Sequence, residues 1–140
     1  MSDKFSKFRN PRRFDCVTNR LPDCPRFFKF AQQMCKSSTH TKANHGAVIV
    51  RGGRILSMGF NSVEQRAETN HEYMHAEMHA IISARCDNLK GSKIYVFRED
   101  KYGFINNSRP CDKCQKMLKE YGIKRAIYTI DEKTYGVMAI

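Results

Sequence analysis

The feature that most restricts how this chain can fold is a donor set scattered along it: His75 in one segment, Cys111 and Cys114 in another. One imidazole and two thiolates suit zinc, which binds nitrogen and sulfur and in catalytic sites leaves its fourth position to water. Any fold that uses them must bring His75-Ala76-Glu77 against Pro110-Cys111-Asp112-Lys113-Cys114. The spacings then dictate local structure. Cys111 and Cys114 lie three apart, so on the first turn of a helix their sulfurs share one side. Pro110 fixes the entry to that turn, and the positive end of the helix favours the thiolates. His75 and Glu77 are two apart and inside a helix would point roughly 200° from each other. They converge only at a helix mouth, and Met78, Ile81, Ile82 and Arg85 continue a helical pattern after them.

Two other readings use the same residues. A structural zinc knuckle is normally closed by a fourth protein ligand, for which His40, His45, His71, His79 and the other cysteines are candidates. His71-Glu72-Tyr73-Met74-His75 also matches the His-Glu-x-x-His pattern of zincin metalloproteases. That pattern needs both histidines on one long helix with the glutamate between them. Gln65 to Asn70 show no apolar helical face, and the zincin reading leaves Pro-Cys-x-x-Cys idle. An open site with Glu77 as the working carboxylate ranks ahead of both.

The rest of the chain reads as strands interspersed with helices. Residues 1–20 form a basic, weakly structured arm, and residues 21–140 one domain. A first helix is expected with Asp23 or Cys24 near its cap, Pro25 in its first turn, and Phe27, Phe30, Ala31 and Met34 on its apolar stripe. Gly46 to Val50 and Ile55 to Phe60 flank Arg51-Gly52-Gly53-Arg54 and predict a β-hairpin. Asn44 is read as a turn residue. A loop over Ser62 to Met74 leads to the helix at His75. Ser92 to Arg98 is a third strand, Glu99 to Arg109 a polar loop, and Lys124 to Ile130 a fourth strand after the cysteine-bearing helix. Strand, helix and strand in sequence favour a parallel crossover. Only Asp131 to Thr134 separates the fourth strand from Tyr135 to Ile140, too few residues for a crossover, so these two strands form an antiparallel hairpin. The expected fold is an α/β, three-layer α/β/α sandwich around a mixed sheet of about five strands.

Charge is uneven along the sequence. Of a net +11, residues 1–42 carry ten Lys or Arg against Asp3, Asp15 and Asp23. Phe5, Phe8, Phe14, Phe27, Phe28 and Phe30 fall in the same stretch, an interleaving of cations and rings used by single-stranded nucleic-acid binders. The alternative for Phe27 and Phe30 is burial on a helix face. No apolar run approaches the ~20 residues of a membrane span, and Met1-Ser2-Asp3-Lys4-Phe5 does not make a signal peptide. Six cysteines, two at metal spacing, fit a reducing compartment better than a disulfide framework. The expectation is a cytoplasmic protein with no membrane partner, and self-association into a homo-oligomer is left open.

His-x-Glu followed by Pro-Cys-x-x-Cys resembles the signature of zinc-dependent nucleobase deaminases. Over roughly residues 25–140 the chain is similar to the cytidine and deoxycytidylate deaminase family. The resemblance implies Zn2+ on His75, Cys111 and Cys114, Glu77 as the catalytic proton shuttle, and hydrolysis of a cytosine amine. Gly59-Phe60-Asn61 looks like the family's Gly-aromatic-Asn, which implies that Asn61 holds the substrate's sugar. Backbone groups near Ala76 and Cys111 would bind the base edge. The implied partner is a cytosine-containing nucleotide or single-stranded nucleic acid, with tRNA-type adenosine deamination as the alternative. The C-terminal hairpin resembles free-nucleoside cytidine deaminases and some editing relatives. Those free-nucleoside enzymes usually place Cys where this chain has His75.

Overall fold

Val48-Ile49-Val50 and Ile94 to Phe97 are apolar runs without polar alternation, a pattern of strands covered on both faces. The fold, a computed structural model describing residues 16–18, 25–38, 43–63, 73–84 and 88–140, places them at the centre of its sheet. Its elements are β1 (Cys16–Thr18), α1 (Pro25–Cys35), β2 (Ala43–Arg51), β3 (Arg54–Phe60), β4 (Ser62–Val63), β5 (Tyr73–Met74), α2 (Ala76–Ala84), β6 (Lys93–Asp100), α3 (Asp112–Glu120), β7 (Arg125–Thr129) and β8 (Tyr135–Ala139).

The main sheet runs β1-β8-β7-β6-β2-β3. β6 and β7 are parallel and joined by α3, while the other pairs are antiparallel. The five expected strands are present with the pairing the sequence implied, including the β7–β8 hairpin. Side-chain parity sorts the layers. Ala47 and Ile49 of β2, Ile94 and Val96 of β6, and Ala126 and Tyr128 of β7 pack under Ala76, Ala80 and Ile81 of α2 and Leu118 of α3. Val48, Val50, Tyr95, Phe97 and Ile127 face Phe27, Ala31 and Cys35 of α1 on the other side. This is the three-layer α/β/α arrangement.

Close approach of helix and sheet falls on two glycines. A Cβ on Gly46 would run into the Ala31 carbonyl oxygen of α1, and one on Gly59 would meet the Ala80 nitrogen and, at 2.7 Å, the Ala76 oxygen of α2. The β2–β3 turn uses Gly52 and Gly53 at φ 60° and 77°, the left-handed pair that a two-residue hairpin turn requires.

The structure corrects several expectations. A sixth strand, β1, pairs with β8 and lies inside the segment read as an arm, whose residues 1–15 and 19–20 lie outside the described residues. Two-residue strands β4 and β5 pair at the ends of what was read as the Ser62–Met74 loop. β6 extends through Glu99 and Asp100, because the start of β2 continues alongside it, and for the same reason Asn44 is a strand residue and not a turn. Ile82 is 58% exposed, so the apolar face of α2 runs through Ala76, Ala80 and Ile81. Arg85 lies outside the described residues. On α1 the deepest stripe is Phe27, Ala31 and Cys35, with Phe30 and Met34 only partly covered.

Candidate active site

The site forms where two helices begin. His75 caps α2, its carbonyl accepting the His79 N–H at 3.0 Å. Cys111 caps α3, its carbonyl accepting the Gln115 N–H at 2.8 Å. The Cys111 side chain makes no capping hydrogen bond, so its sulfur is available to face His75. Pro110 is buried, with its carbonyl accepting from Gln115 Nε2 at 2.8 Å, which fixes the entry to α3. His75 Nδ1 lies 3.3 Å from Cys114 Sγ and 3.8 Å from Cys111 Sγ, and the three donor atoms all fall within 4.8 Å of one another.

These distances fit zinc. Bonds of about 2.3 Å to sulfur and about 2.0–2.1 Å to nitrogen at tetrahedral angles separate N from S by about 3.5 Å. The chemistry of the donors agrees. Burial, then Glu77 and Cys111 beside it, push the Cys114 thiol far up, so a thiolate there needs a cation to balance it.

Glu77 sits two residues into the α2 mouth, 4% exposed. Desolvation pushes its carboxyl up to about 7, opposed in part by its own backbone N–H. β3 holds the helix that presents it. Ser57 Oγ donates to the Ala80 carbonyl, and the Phe60 N–H donates to His79 Nδ1 at 3.0 Å. Gly59 lets the two backbones close up.

One cavity of about 130 Å3 is lined by Glu77, His75, Ala76 and Cys111 together with Asn61, His45, Ser108 and Arg109. It is small against the roughly 300–1,000 Å3 of drug-sized pockets and suits a single small ring. His75, Ala76, Glu77, Asn61, Cys111 and Cys114, the residues expected at an open site, thus meet at or beside one place. Asn61 is more engaged than its expected role implies. Its Oδ1 accepts from Ser38 Oγ at 2.5 Å and from the His45 N–H at 2.9 Å, and its Nδ2 donates to the Ala43 carbonyl at 2.9 Å. The oxygen is thereby full, and beyond the Ala43 bond Nδ2 also lies 3.5 Å from His45 Nδ1.

His45, Ser108 and Arg109 were not singled out as substrate-site residues. Parity was the available signal for His45, which shares a strand face with Ala47 and Ile49. For the other two it was adjacency to Pro110. Ser108 also secures the loop: its Oγ donates to the Val96 carbonyl at 2.8 Å and accepts the Thr129 N–H at 2.8 Å. Of the competing ligands, His79 is bonded to β3, His45 lies on the cavity wall outside the metal cluster, and His40 and His71 lie outside the described residues.

Comparison with known proteins places this geometry. Residues 23–130 match the sequence profile of the cytidine and deoxycytidylate deaminase zinc-binding region. A Caenorhabditis elegans protein named "Probable deoxycytidylate deaminase" is 29% identical over 118 residues, which cover 74% of this chain and 55% of that protein. The tRNA-specific adenosine deaminase of Aquifex aeolicus is 33% identical over 100 residues, covering 68% of this chain and 58% of the relative. The chain therefore spans a little over half the length of these two relatives. The crystal structure of cytidine deaminase from Burkholderia pseudomallei shares the fold at a TM-score of 0.63 and 17% identity, over 81% of this chain and 90% of that one. With the profile covering most of its length and the ligand trio at zinc spacing, the chain belongs to the cytidine and deoxycytidylate deaminase family and carries that family's zinc-binding region.

Proposed function

We propose that this protein hydrolyses the exocyclic amine of a cytosine carried in a nucleotide unit, releasing ammonia and leaving uracil. The observation that supports it is the meeting of the buried Glu77 carboxyl with His75 and Cys111 on one cavity, where Cys114 completes the donor trio. His75 Nδ1, Cys111 Sγ and Cys114 Sγ would hold zinc. Bound there, zinc supplies a water acidified towards neutrality. Glu77 would accept one proton from the attacking water as its oxygen bonds to C4 of the base and pass it to the ring nitrogen beside C4. It would then take the remaining proton from the new C4 hydroxyl and give it to the amine as the C4–N bond breaks, so that ammonia leaves, the C4 carbonyl forms and Glu77 ends as it began. Backbone groups at Ala76 and Cys111 meet the base edge. Asn61 would give a sugar oxygen the amide N–H that now lies 3.5 Å from His45 Nδ1, and it also fixes the strand that carries His45.

Arg109 on the cavity wall supports a phosphate-bearing substrate over a free nucleoside, and the deoxycytidylate deaminases among the relatives point the same way. Thiolate ligands fit action in a reducing, intracellular compartment. The test is a panel of cytidine, deoxycytidine, their monophosphates, single-stranded DNA and RNA, and adenosine-containing tRNA, read by mass spectrometry. Conversion of a cytosine nucleotide is the expected result. Conversion of adenosine alone, or of nothing, overturns the proposal.

A further inference from the structure

Both site helices, α2 and α3, begin at the cavity, so their far ends and the starts of β6 and β7 lie at the opposite end of the sheet. The nine residues of α3 hold the two ends about 13 Å apart. At the far end four neighbouring strands each start or finish on a cation. Lys93 of β6 pairs with Arg125 of β7 and with Val50 of β2, the residue before Arg51, and Arg51 pairs with Arg54 of β3. At about 4.8 Å between strands, the row is about 14 Å long. Loops stitched to it add more. The Gly91 N–H donates to the Gly122 carbonyl and the Lys124 N–H to the Ser92 carbonyl, both at 2.8 Å, which sets Lys90 and Lys124 beside the row, with Lys119 at the end of α3. Arg26 of α1 reaches the same end, its Nη2 donating to the Gly53 carbonyl at 3.3 Å. Arg51 Nη1 donates to the carbonyls of Asn88 at 2.7 Å and Lys90 at 3.3 Å. These two guanidinium groups are thus held in place, each with further N–H groups to give.

Local charge selects the occupant. Of the acidic side chains among the described residues, only Glu120 lies at this end, while Glu77, Glu99, Asp100, Asp112, Asp131 and Glu132 lie at the cavity end. Ile140, whose N–H donates to the Lys124 carbonyl at 3.0 Å, brings its carboxylate as a second anion. Asp23, Arg85 and Asp87 are neighbours in sequence and lie outside the described residues. Counting all three still leaves nine cations against four anions. At the cavity end the acids alternate with Arg98, Lys101, Lys113 and Lys133, so the described residues of a second copy offer no acidic face to match. Lipid head groups diffuse and need no fixed row of charges. A nucleic-acid backbone carries its charges at fixed spacing, and about 14 Å of duplex holds about eight of them.

We propose that this end of the sheet docks the phosphate backbone of nucleic acid, without reading its sequence and without using the cavity. The test uses the zinc-loaded full chain and a short fluorescently labelled DNA duplex, whose paired bases stay out of the cavity, with Kd from anisotropy at several salt concentrations. One variant combines Arg54→Gln, Lys90→Gln, Lys124→Gln and Arg125→Gln, all exposed. A reference variant removes the same charge elsewhere through Lys29→Gln, Lys101→Gln, Lys116→Gln and Lys133→Gln, also exposed. At about 0.9 per contact, the first should flatten the slope of log affinity against log salt by up to about 3.6, a roughly 150-fold smaller loss of affinity between about 50 and 200 mM. The pairs Arg54→Gln with Lys90→Gln and Lys124→Gln with Arg125→Gln should each give about half of that change. The reference variant should keep the wild-type slope, and zinc content and Tm should hold in every variant. Equal flattening in both fourfold variants would assign binding to net charge and overturn the proposal. A wild-type slope in the first variant, or no duplex binding by the wild type, overturns it as well. So does a wild-type dimer that the first variant dissociates while duplex binding holds, or wild-type binding to phosphatidylserine vesicles that exceeds binding to the duplex.

Discussion

At the scale of single residues, burial pushes the Glu77 carboxyl up to about 7 before the charge of any metal acts on it. In the proposed reaction Glu77→Gln keeps the shape and loses the shuttle. Its kcat should fall by about 10²–10⁴ while metal analysis still finds zinc; near-normal turnover would end the assignment. Cys111→Ser and Cys114→Ser should instead lose zinc and lower the Tm, because metal and folding are coupled, whereas His71→Ala should keep the metal. Equal loss of zinc in His71→Ala and His75→Ala would revive the His-Glu-x-x-His reading. The metal trio and Glu77 were legible in the sequence because their spacing has one sensible geometry, two helix mouths face to face. His45 and Arg109 were not, since only the pairing of β2 with β6 and the path of residues 106–110 decide which side chains border the cavity.

At the scale of elements, the hairpins, the parallel crossover and both site helices could be read from turn glycines, apolar runs and linker length. What escaped was set by tertiary contact. Neither the β1 strand nor the β4–β5 pair, at two or three residues each, has a local periodicity to detect, and each exists through its partner strand. The tightest element contact gives a direct test. Gly59→Ala would push its Cβ into the backbone of α2 at Ala76 and Ala80, and both backbones are regular and cannot yield locally. A stability loss of about 1–3 kcal/mol in denaturant titration is expected, with a lower kcat, because α2 carries Glu77. Unchanged stability would mean that α2 does not sit where Gly59 requires. The β7–β8 turn offers a test by pH. Asp131 Oδ1 accepts from the Lys133 and Thr134 N–H groups and from Thr134 Oγ1, and the Lys133 N–H, the largest cause, lowers its carboxyl below the ordinary 3.8. A group whose folded value is depressed stabilises above its unfolded value and stops doing so as pH falls through the folded one. Asp131→Ala should therefore lower the Tm at neutral pH, and the gap from wild type should close below about pH 3.8. A gap independent of pH would assign the effect to something other than the charge.

At the scale of the whole molecule, the excess of positive charge and the cavity lie in different parts of the sequence, and their connection is the largest question the fold raises. Ten of the basic residues precede Ala43, and β1 ties residues 16–18 to β8, so a truncation that tests the arm must stop at Asp15. Removing residues 1–15 deletes Lys4, Lys7, Arg9, Arg12 and Arg13 with Asp3 and Asp15 and leaves β1 to pair. If those five cations contact a strand's phosphates, each contact adds about −0.7 to the slope of log affinity against log salt. The truncated protein should then bind single strands with a slope shallower by up to about 3.5, while its zinc content and its handling of a mononucleotide stay the same. Binding a mononucleotide should depend on salt far less in either form, since it offers one phosphate and releases little condensed counterion. Affinity for an oligodeoxycytidylate measured at several salt concentrations for both proteins separates the cases. An unchanged slope would make the arm a solvated tail.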